Sequence, residues 1–356
     1  MAATAPPYPL PASSAEAAGF AADLGEKLDA GVRSGLLRGL HAVLVAREGE
    51  IVLERYWDGR DEAWGRPLGH VEFGPDTLHD LRSVTKSVVA LLYGVALGRG
   101  LVPPPEAPLL AQFPEYSDLA ADPERRRLTV EHVLTMTLGT DWDENLPYSD
   151  PANSEIAMEM APDRIRYVLE RPILREPGTQ WTYCGGATAL LGRLIERGSG
   201  MNLPEFARQN LFAPLGIERF EWAAGADGIH SAASGLRLTA RDLARIGDLV
   251  LAGGARDGRE IVPGDWIESL SRPAIATGDG LDYGRHWFLG ADRAPAFGAA
   301  PKPWSGAFGN GGQRLMLMPE AGLAMVLFAG NYNAPDAWVA PMRIWREIVL
   351  ANLIDA

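Results

Sequence analysis

The sequence has almost no cysteine and no long apolar run, and each absence excludes a class of protein. Cys184 is the single cysteine, so no intrachain disulfide can form and an oxidising compartment is not indicated. No window approaches the roughly 20 apolar residues of a membrane span. The first residues lack the basic and apolar segments of an export signal. The expectation is a cytoplasmic protein with no membrane partner.

Positive charge is scarce as well. The formal net charge is -13, whereas nucleic-acid surfaces need clustered lysine and arginine, so no nucleic-acid partner is expected. The histidines are scattered without ligand spacing, and no phosphate-binding or dinucleotide-binding glycine motif occurs, so neither a metal nor a cofactor is expected. Basic residues are nearly all arginine, and the only lysines are Lys27, Lys86 and Lys302. Because arginine supplies nearly all the positive charge, the presence of a lysine at a given position indicates a specific role for that residue.

Helix and strand signals follow one another in a distinct order. Residues 1–15, rich in Pro, Ala and Ser, are interpreted as an extended lead-in. A helix is predicted within residues 16–34, then a hairpin from residues 40–45 and 51–56, and then irregular chain over residues 57–76. Further helices are predicted to begin near Ser83, Thr129, Pro162, Ala187, Asn202, Thr239 and Pro335, and further strands over residues 283–289, 304–308, 314–318 and 323–329.

This order predicts the architecture. Early and late strands most simply join one antiparallel sheet flanked by helices, with the helical middle as an inserted lobe, which is an α/β (α+β) fold. The length of 356 residues allows one large or two modest domains. The predicted bounds are residues 16–100 and 230–356 for a discontinuous sheet domain, and residues 101–229 for the helical lobe. An active site would lie between them.

A polar pair opens an otherwise apolar helix. Ser83 lies three residues before Lys86, so their side chains share one face of the first turn. A serine hydroxyl needs a base, and a lysine on an apolar helix is partly desolvated, which favours its neutral form. The helix N-terminus also offers free N–H groups to a developing oxyanion. The alternative is an ordinary serine and a surface lysine, but the scarcity of lysine and the apolar run favour a nucleophile with its base.

Two glycine-rich segments could complete such a site. Tyr183, on the turn formed by residues 177–186, could share a proton with a lysine and pass it to a leaving group. The main-chain N–H of Gln313, after the glycines of residues 309–312, could pair with that of the nucleophile as an oxyanion hole. Each motif alone is more typical of packing or of a plain turn.

Together these segments resemble the serine β-lactamase/D,D-peptidase superfamily, in its class C-like esterase and amidase branch, and in particular the 6-aminohexanoate-dimer (nylon-oligomer) hydrolases. The resemblance runs from about residue 40 to the C-terminus. It rests on Ser83-Val84-Thr85-Lys86-Ser87, on residues 177–185, on residues 235–243 and on residues 309–313. It implies a β-lactamase/transpeptidase-like fold, with Ser83 as nucleophile, Lys86 as base and Tyr183 as proton relay.

Two departures from the family pattern concern the substrate. The tyrosine motif of β-lactamases ends in Asn, whereas Gly185 stands here, so an amide that would hold an acylamide is missing. Their Lys-Thr-Gly motif reads Asn310-Gly311-Gly312 here, so neutral groups replace those that grip a carboxylate. Asn310 and Gln313 are therefore candidates for binding a substrate with a neutral acyl group. β-Lactamase and D,D-peptidase activities are placed in doubt, and small amides or esters remain.

An acidic loop, residues 140–148, precedes the tyrosine motif. In the nylon-oligomer hydrolases a tyrosine on such a loop closes over the substrate, which makes Tyr148 a third substrate-binding candidate, with plain loop packing as the alternative. Asp141, Asp143 and Glu144 could form a metal cluster, but no histidine lies near them in sequence. A solvated loop that receives an amino group is the preferred interpretation.

The sequence therefore predicts a serine hydrolase that cleaves small linear amides or carboxylic esters through an acyl-enzyme on Ser83, without a cofactor. Its partner would be a small molecule, and a homodimer is a further expectation. Activity like that of a β-lactamase or D,D-peptidase is the alternative within the superfamily. A non-catalytic binding protein on the same fold is the other alternative, although the joint presence of Ser83, Lys86 and Tyr183 speaks against it.

Overall fold

A computed structural model describes residues 10–355. Its strands are β1 (Leu40–Arg47), β2 (Glu50–Tyr56), β3 (Gly59–Ala63), β4 (Arg66–Val71), β5 (His79–Asp80), β6 (Glu221–Trp222), β7 (Leu236–Leu238), β8 (Ala255–Arg256), β9 (Arg259–Glu260), β10 (Ile275–Ala276), β11 (Asp282–Tyr283), β12 (Phe288–Asp292), β13 (Lys302–Gly309), β14 (Gln313–Met318) and β15 (Leu323–Ala329). Its helices are α1 (Leu24–Arg33), α2 (Val84–Gly98), α3 (Val130–Leu134), α4 (Ser154–Met160), α5 (Arg164–Leu169), α6 (Gly185–Ser199), α7 (Leu203–Ala207), α8 (Ala240–Leu251), α9 (Gly264–Leu270) and α10 (Val339–Arg343).

An eight-stranded antiparallel sheet joins the two ends of the chain. Its strand order is β10-β11-β12-β13-β14-β15-β1-β2. The register of the early strand on the late one places Val43 opposite Leu327. The prediction that early and late strands share one antiparallel sheet is therefore confirmed. The bounds proposed for the sheet domain and the lobe stay a prediction.

Side chains alternate between the two faces of the sheet along each strand. Both faces are buried. Ala42 and Leu44 of β1 belong to one core cluster, which also includes side chains of α2, α6 and α8. Val43 and Val45 point to the other face and pack with α1 and the C-terminal helical segment. The sheet thus lies between two helical layers, and the helices of residues 101–229 extend the first layer.

The α2 helix is the interior element of the first layer. Residues Val84 through Ala96 are all buried, which is typical of a helix that is apolar on every side. Its predicted start at Ser83 is confirmed, and the helix ends at Gly98. The helix starts predicted near Thr129, Asn202 and Thr239 are also confirmed, since each of these side chains caps its helix by accepting a hydrogen bond from a main-chain N–H of the first turn.

Several segments differ from the sequence prediction. Residues 57–76 contain the hairpin β3–β4, whose turn at Trp64 and Gly65 has positive φ at both residues. The strand predicted over residues 283–289 is two strands, because a turn with left-handed His286 separates β11 from β12. The last helix begins at Val339, since proline is tolerated only in a first turn and Pro341 lies there.

The N-terminal lead-in and the membrane prediction have different outcomes. Residues 1–9 lie outside the described part of the chain. Ala12 forms a parallel bridge to Ile51, so the rest of the lead-in extends the edge of the sheet beside β2. Among the described helices, none combines the length and apolar character that crossing a membrane requires.

Candidate active site

A strained turn presents Ser83 at the start of α2. Arg82 has φ +48°, a left-handed conformation that is uncommon for a residue with a side chain. The buried carboxylate of Asp80 holds this turn, accepting from the Arg82 N–H at 2.9 Å and from the Trp64 N–H at 2.6 Å. Ser83 makes no side-chain cap to the helix, so its hydroxyl is free for chemistry. Strain fixed by surrounding contacts is typical of functional positions.

Lys86 joins Ser83 to a carboxylate of the lobe. Its Nζ donates to Ser83 Oγ at 2.9 Å, to Glu155 Oε2 at 2.9 Å and to the Ala233 carbonyl at 3.0 Å. Lys86 is 1% exposed and Glu155 3% exposed. Three acceptors match the three N–H groups of an ammonium.

The sequence left the resting charge of Lys86 open, although desolvation alone favours the neutral form. Burial lowers the pKa of Lys86, but the carboxylate of Glu155, followed by Tyr183 and Glu144, raises it above its usual value. Lys86 is therefore an ammonium in the resting protein, and the desolvation that the sequence indicated is outweighed. The reason is Glu155 on α4, which lies 69 residues away in sequence.

Tyr183 completes the cluster around the serine. The Ser83 side chain is close enough to lower the pKa of Tyr183, and Lys86 Nζ lies 5.0 Å from the centre of the Tyr183 ring. Burial raises the pKa of Tyr183 more than Lys86 lowers it, so the residue is a neutral phenol at rest. The structure thus brings Ser83, Lys86 and Tyr183 together. The neighbouring Cys184 is buried, which raises the pKa of its thiol and disfavours the reactive thiolate.

Glu144 turns from the acidic loop into the protein. It accepts hydrogen bonds from the Gly185 N–H at 2.5 Å, the Trp142 indole at 2.6 Å and the Tyr148 hydroxyl at 2.9 Å. Burial, followed by the charge of Glu155, raises the pKa of Glu144 to about 7. Glu144 therefore carries a proton for part of the time near neutral pH.

The other acidic residues of the loop behave as expected from the sequence. Asp143 is exposed, and Asp141 is half-buried and forms an ion pair with Arg171 at 2.7 Å. The solvated-loop interpretation thus fits these two residues and is wrong for Glu144.

Ser83 opens into two cavities, and Tyr148 and Asn310 line both of them. The first, which we call the acidic cavity, has a volume of about 320 Å³ and is also lined by Glu155 and Glu159. The second, which we call the aromatic cavity, has a volume of about 520 Å³. Its wall includes Trp181, Tyr183, Phe288, Trp304, Phe308 and Arg314. A linear molecule could extend on both sides of the serine.

Arg314 is the buried charge of the aromatic cavity. It is 6% exposed, and its Nη1 donates to the carbonyls of Gly309 at 3.3 Å and Gln313 at 2.8 Å. Burial lowers the pKa of Arg314 to about 10, so the guanidinium remains charged at neutral pH. Within residues 10–355 no carboxylate forms an ion pair with it. Buried charges usually have a counter-charge, so this one is unusual.

The predicted substrate-binding residues have different positions. Asn310 lies at the junction of the cavities, although its amide is also engaged with Asn333, donating at 3.1 Å and accepting at 2.9 Å. Gln313 is fully buried and lines neither cavity. Its side chain exchanges hydrogen bonds with the main chain of Ala329 at 2.7 and 2.9 Å. The structure therefore gives Gln313 a role in holding β15, and the contribution of its N–H to an oxyanion hole stays a prediction.

Three residues around the site were missed by the sequence analysis. Asp80 is one of them, and nothing local in the sequence indicates its contacts. Glu155 had a weak signal, because Asn153 is a preferred capping residue and its side chain does cap α4. Arg314 had a clearer one, since it is a charged residue in the buried strand β14.

A second buried cluster lies beside this region. His41 Nδ1 and His79 Nε2 are 2.9 Å apart, and Asp61 Oδ1, 3.6 Å from His79, accepts from the Tyr332 hydroxyl at 2.7 Å. The sequence spacing gave no sign of this grouping. Burial lowers the pKa of each histidine to about 4, so both rings are neutral at pH 7. The two histidine rings are hydrogen-bonded to each other. His79 belongs to β5, the strand that leads into Ser83.

Comparison with known proteins places this chain in a family. Residues 26–346 match the family model described as Beta-lactamase. The chain belongs to the Beta-lactamase family. The predicted β-lactamase/transpeptidase-like fold is thereby confirmed, and so is the predicted enzyme class, a serine hydrolase.

Individual relatives agree with this family. A 6-aminohexanoate-dimer hydrolase from Paenarthrobacter ureafaciens is 28% identical over 337 residues, which are 88% of this chain and 77% of that protein. Esterase EstB from Burkholderia gladioli is 31% identical over 215 residues, 58% of this chain and 52% of that protein. The structure of EstCE1, a hydrolase with promiscuous acyltransferase activity, has a TM-score of 0.70 at 16% identity and covers 91% of this chain and 96% of that one. This last similarity concerns the fold alone.

Proposed function

We propose that this serine hydrolase cleaves small linear amides or carboxylic esters through an acyl-enzyme on Ser83. The observation that supports this most directly is the hydrogen bond of 2.9 Å between Lys86 Nζ and Ser83 Oγ. Tyr183 lines the same cavity as Ser83, lies beside Lys86 and is proposed as a second proton carrier. A nucleophile in contact with its base and a proton donor is the arrangement that acyl transfer requires.

The chemistry follows from these contacts. Ser83 Oγ attacks the carbonyl carbon of the substrate as its proton passes to Lys86, and Lys86, an ammonium at rest, gives up one of its own protons in the same step. The free N–H of Ser83 at the start of α2 donates to the oxyanion, and the N–H of Gln313 is the predicted second donor. Tyr183 protonates the departing alcohol or amine. Water then attacks the acyl-enzyme. Lys86 and Tyr183 transfer protons in the reverse direction, so that Ser83 Oγ is protonated again.

The substrate class is supported by the two cavities and by the relatives. Cavities on both sides of Ser83 suit a linear molecule whose scissile bond lies at their junction. Tyr148 and Asn310, which line both, are proposed to contact the substrate there. The relatives named above are a hydrolase of an amide dimer and an esterase, so both bond types belong to the proposal.

A fluorophosphonate probe tests the nucleophile. We expect one adduct on the wild-type protein by intact mass and none on Ser83→Ala. An unlabelled wild-type protein, or equal labelling of the variant, would contradict the proposal.

A substrate panel tests the substrate class. It contains short acyl esters, an aminohexanoate dimer, a chromogenic cephalosporin and a D-Ala-D-Ala peptide. We expect esters to react fastest and the cephalosporin hardly at all, because Gly185 and Asn310 replace the groups that hold a lactam. Rapid cephalosporin hydrolysis would instead support the β-lactamase alternative. The homodimer and the cytoplasmic location stay predictions, and light scattering of the purified protein tests the first.

A further inference from the structure

Gly185 and the carboxylate of Glu155 compete for one space. A Cβ atom added at Gly185 would lie 2.2 Å from Glu155 Oε2, far inside van der Waals contact. Gly185 is not among the glycines with positive φ, so its backbone conformation does not require glycine. The close approach of the carboxylate does. At the position where the family resemblance expects an Asn side chain, this chain places the carboxylate of Glu155 instead.

Glu155 is held firmly in this position. It lies in the first turn of α4, where the side chain of the buried Asn153 accepts from its N–H at 3.0 Å. The same Asn153 donates to the Leu146 carbonyl at 2.7 Å and so ties α4 to the acidic loop. A buried ion pair contributes little net stability, because desolvation offsets the attraction. The pair of Glu155 with Lys86 therefore calls for a functional explanation.

Proton counting provides that explanation. Lys86 is an ammonium whose three N–H groups are all donated, so it cannot take the Ser83 proton without releasing one of its own. Of its three acceptors, one is a main-chain carbonyl and one is the nucleophile itself. Glu155 Oε2, at 2.9 Å, is the acceptor among them that can hold a proton.

We propose that Glu155 is the proton acceptor that allows Lys86 to act as the base. As Ser83 Oγ bonds to the carbonyl carbon, the serine proton passes to Lys86 and one Lys86 proton passes to Glu155. The carbonyl π electrons move to the oxygen, the ammonium is restored, and Glu155 becomes a neutral acid. When the intermediate collapses, the proton returns from Glu155 to Lys86, and Lys86 gives one to the oxygen of Tyr183 as the phenol protonates the leaving group. Glu155 acts through Lys86, so it is a positioning residue, and the inference rests on the proposed function of Ser83.

The pH profile of Glu155→Gln tests the inference. Glutamine keeps the size and the hydrogen bond to Lys86 but cannot take a proton. We expect kcat/KM for a short ester to fall about 100-fold at pH 6 to 7 and to recover toward pH 9, because a buried lysine without its counter-charge loses its proton more readily. The wild-type protein should show no such alkaline recovery. An equal loss at every pH would indicate a merely structural role and overturn the inference, as would no loss.

A double-mutant cycle gives a second, independent readout. Gly185→Ala alone should displace the carboxylate and lower kcat/KM at pH 7 by about tenfold or more. In a Glu155→Ala background the same substitution should change kcat/KM less than twofold, since nothing remains to be displaced. Equal effects in both backgrounds would contradict the inference, and circular dichroism confirms folding of each variant.

Glu131→Gln is the control for the loss of a carboxylate that pairs with a basic side chain. Glu131 pairs with Arg285 at 2.9 Å and lines neither cavity, so the shape of the pH profile should not change. Failure of the proposed function itself is distinguishable, because fluorophosphonate would then not label Ser83 in any of these proteins. Labelling of Ser83 combined with parallel pH profiles would remove only the role of Glu155.

Discussion

The two cavities that meet at Ser83 differ in how their charges are balanced. In the acidic cavity each carboxylate has a cation, since Glu155 pairs with Lys86 at 2.9 Å and Glu159 with Arg164 at 2.6 Å. In the aromatic cavity the buried Arg314 has no such partner among the described residues.

The unpaired groups of the aromatic cavity are donors. Arg314 Nε and the indole nitrogens of Trp181 and Trp304 are buried without a hydrogen-bond partner. The only carboxylate that lines this cavity among the described residues is Asp279, which is exposed at its rim. The charges of the acidic cavity are thus balanced within the protein, whereas the aromatic cavity contains donors without a partner in the described part of the chain.

The largest effect is expected from the loss of the Ser83 hydroxyl, which lies where the two cavities meet. Ser83→Ala should lower kcat for every substrate by about 10⁴-fold or more, because no other group in the cluster can form the acyl-enzyme. Ser87→Ala is the matched control, since this buried serine on the same helix donates to the His286 carbonyl instead. Steady-state kinetics with one ester and one amide measure both variants. Residual activity of Ser83→Ala near the wild-type level would show that the cavities do not share this nucleophile.

The next largest effect concerns Glu144 of the acidic loop, and it is expected in the free energy of unfolding rather than in turnover. The pKa of Glu144 is about 7 in the folded protein against 4.5 in a free side chain, so the folded state binds its proton more tightly. Wild-type stability should therefore decrease as pH rises from about 4.5 to 7 and stay lower above it. Glu144→Gln lacks this dependence.

Denaturant unfolding at pH 5 and pH 8 measures the difference. The free energy of unfolding of the variant, taken relative to that of wild type, should be higher at pH 8 than at pH 5 by up to about 3 kcal/mol. Asp143→Asn, on the exposed part of the same loop, is the control and should show no such trend. A pH-independent difference for Glu144→Gln would mean that its carboxyl is an ordinary ionised one.

The aromatic side should recognise an acceptor-rich end of the substrate. We expect wild-type protein to prefer a 4-nitrophenyl ester of adipic acid over that of hexanoic acid, or an acetyl ester of 6-hydroxyhexanoate over hexyl acetate. Arg314→Gln should reduce this preference about tenfold, as loss of a charged hydrogen bond does. Such a preference would correct the sequence interpretation that the pocket suits neutral groups.

A matched arginine controls this experiment. Arg346 lines the same cavity but is exposed and paired with Asp292 at 2.9 Å, so Arg346→Gln should leave the preference unchanged. Equal loss in both variants would indicate a general effect of positive charge. No preference in the wild-type protein would make the aromatic cavity a purely apolar one.

The smallest expected effect concerns a single N–H group. Trp304→Phe keeps an aromatic ring in the wall but removes the unpartnered indole N–H. The same preference for a carboxylate substrate should fall roughly threefold to tenfold. The ratio of the two kcat/KM values measures it, and an unchanged ratio would assign that donor no part in binding.

Local patterns explain which features the sequence could predict. The spacing of Ser83 and Lys86 is a property of one helical turn, and the caps at Thr129 and Asn202 are properties of adjacent residues. The sheet followed from alternation and from two clear hairpins. Such signals lie within about ten residues of one another and can be recognised without the fold.

The features that were missed depend on distant parts of the chain. The resting charge of Lys86 could not be predicted, because its counter-charge lies on another helix, 69 residues away. The hairpin β3–β4 has mostly exposed, polar residues, so no alternation marked it. Burial of Arg314 without a partner is visible only when every neighbour is placed. Charge state and specificity are therefore tertiary properties here, whereas the nucleophile motif is a local one.

The left-handed conformation of Arg82 links catalysis to the completion of folding. The Asp80 carboxylate that holds this residue lies on β5, and β5 pairs with β7, where Asp80 is opposite Arg237. The chain between these strands must therefore be in place before the serine is oriented. A partly synthesised or proteolytically opened chain would contain Ser83 and Lys86 but would have no hydrolase activity. Catalytic activity can thus serve as a direct assay of the fraction of chains that have reached the native state.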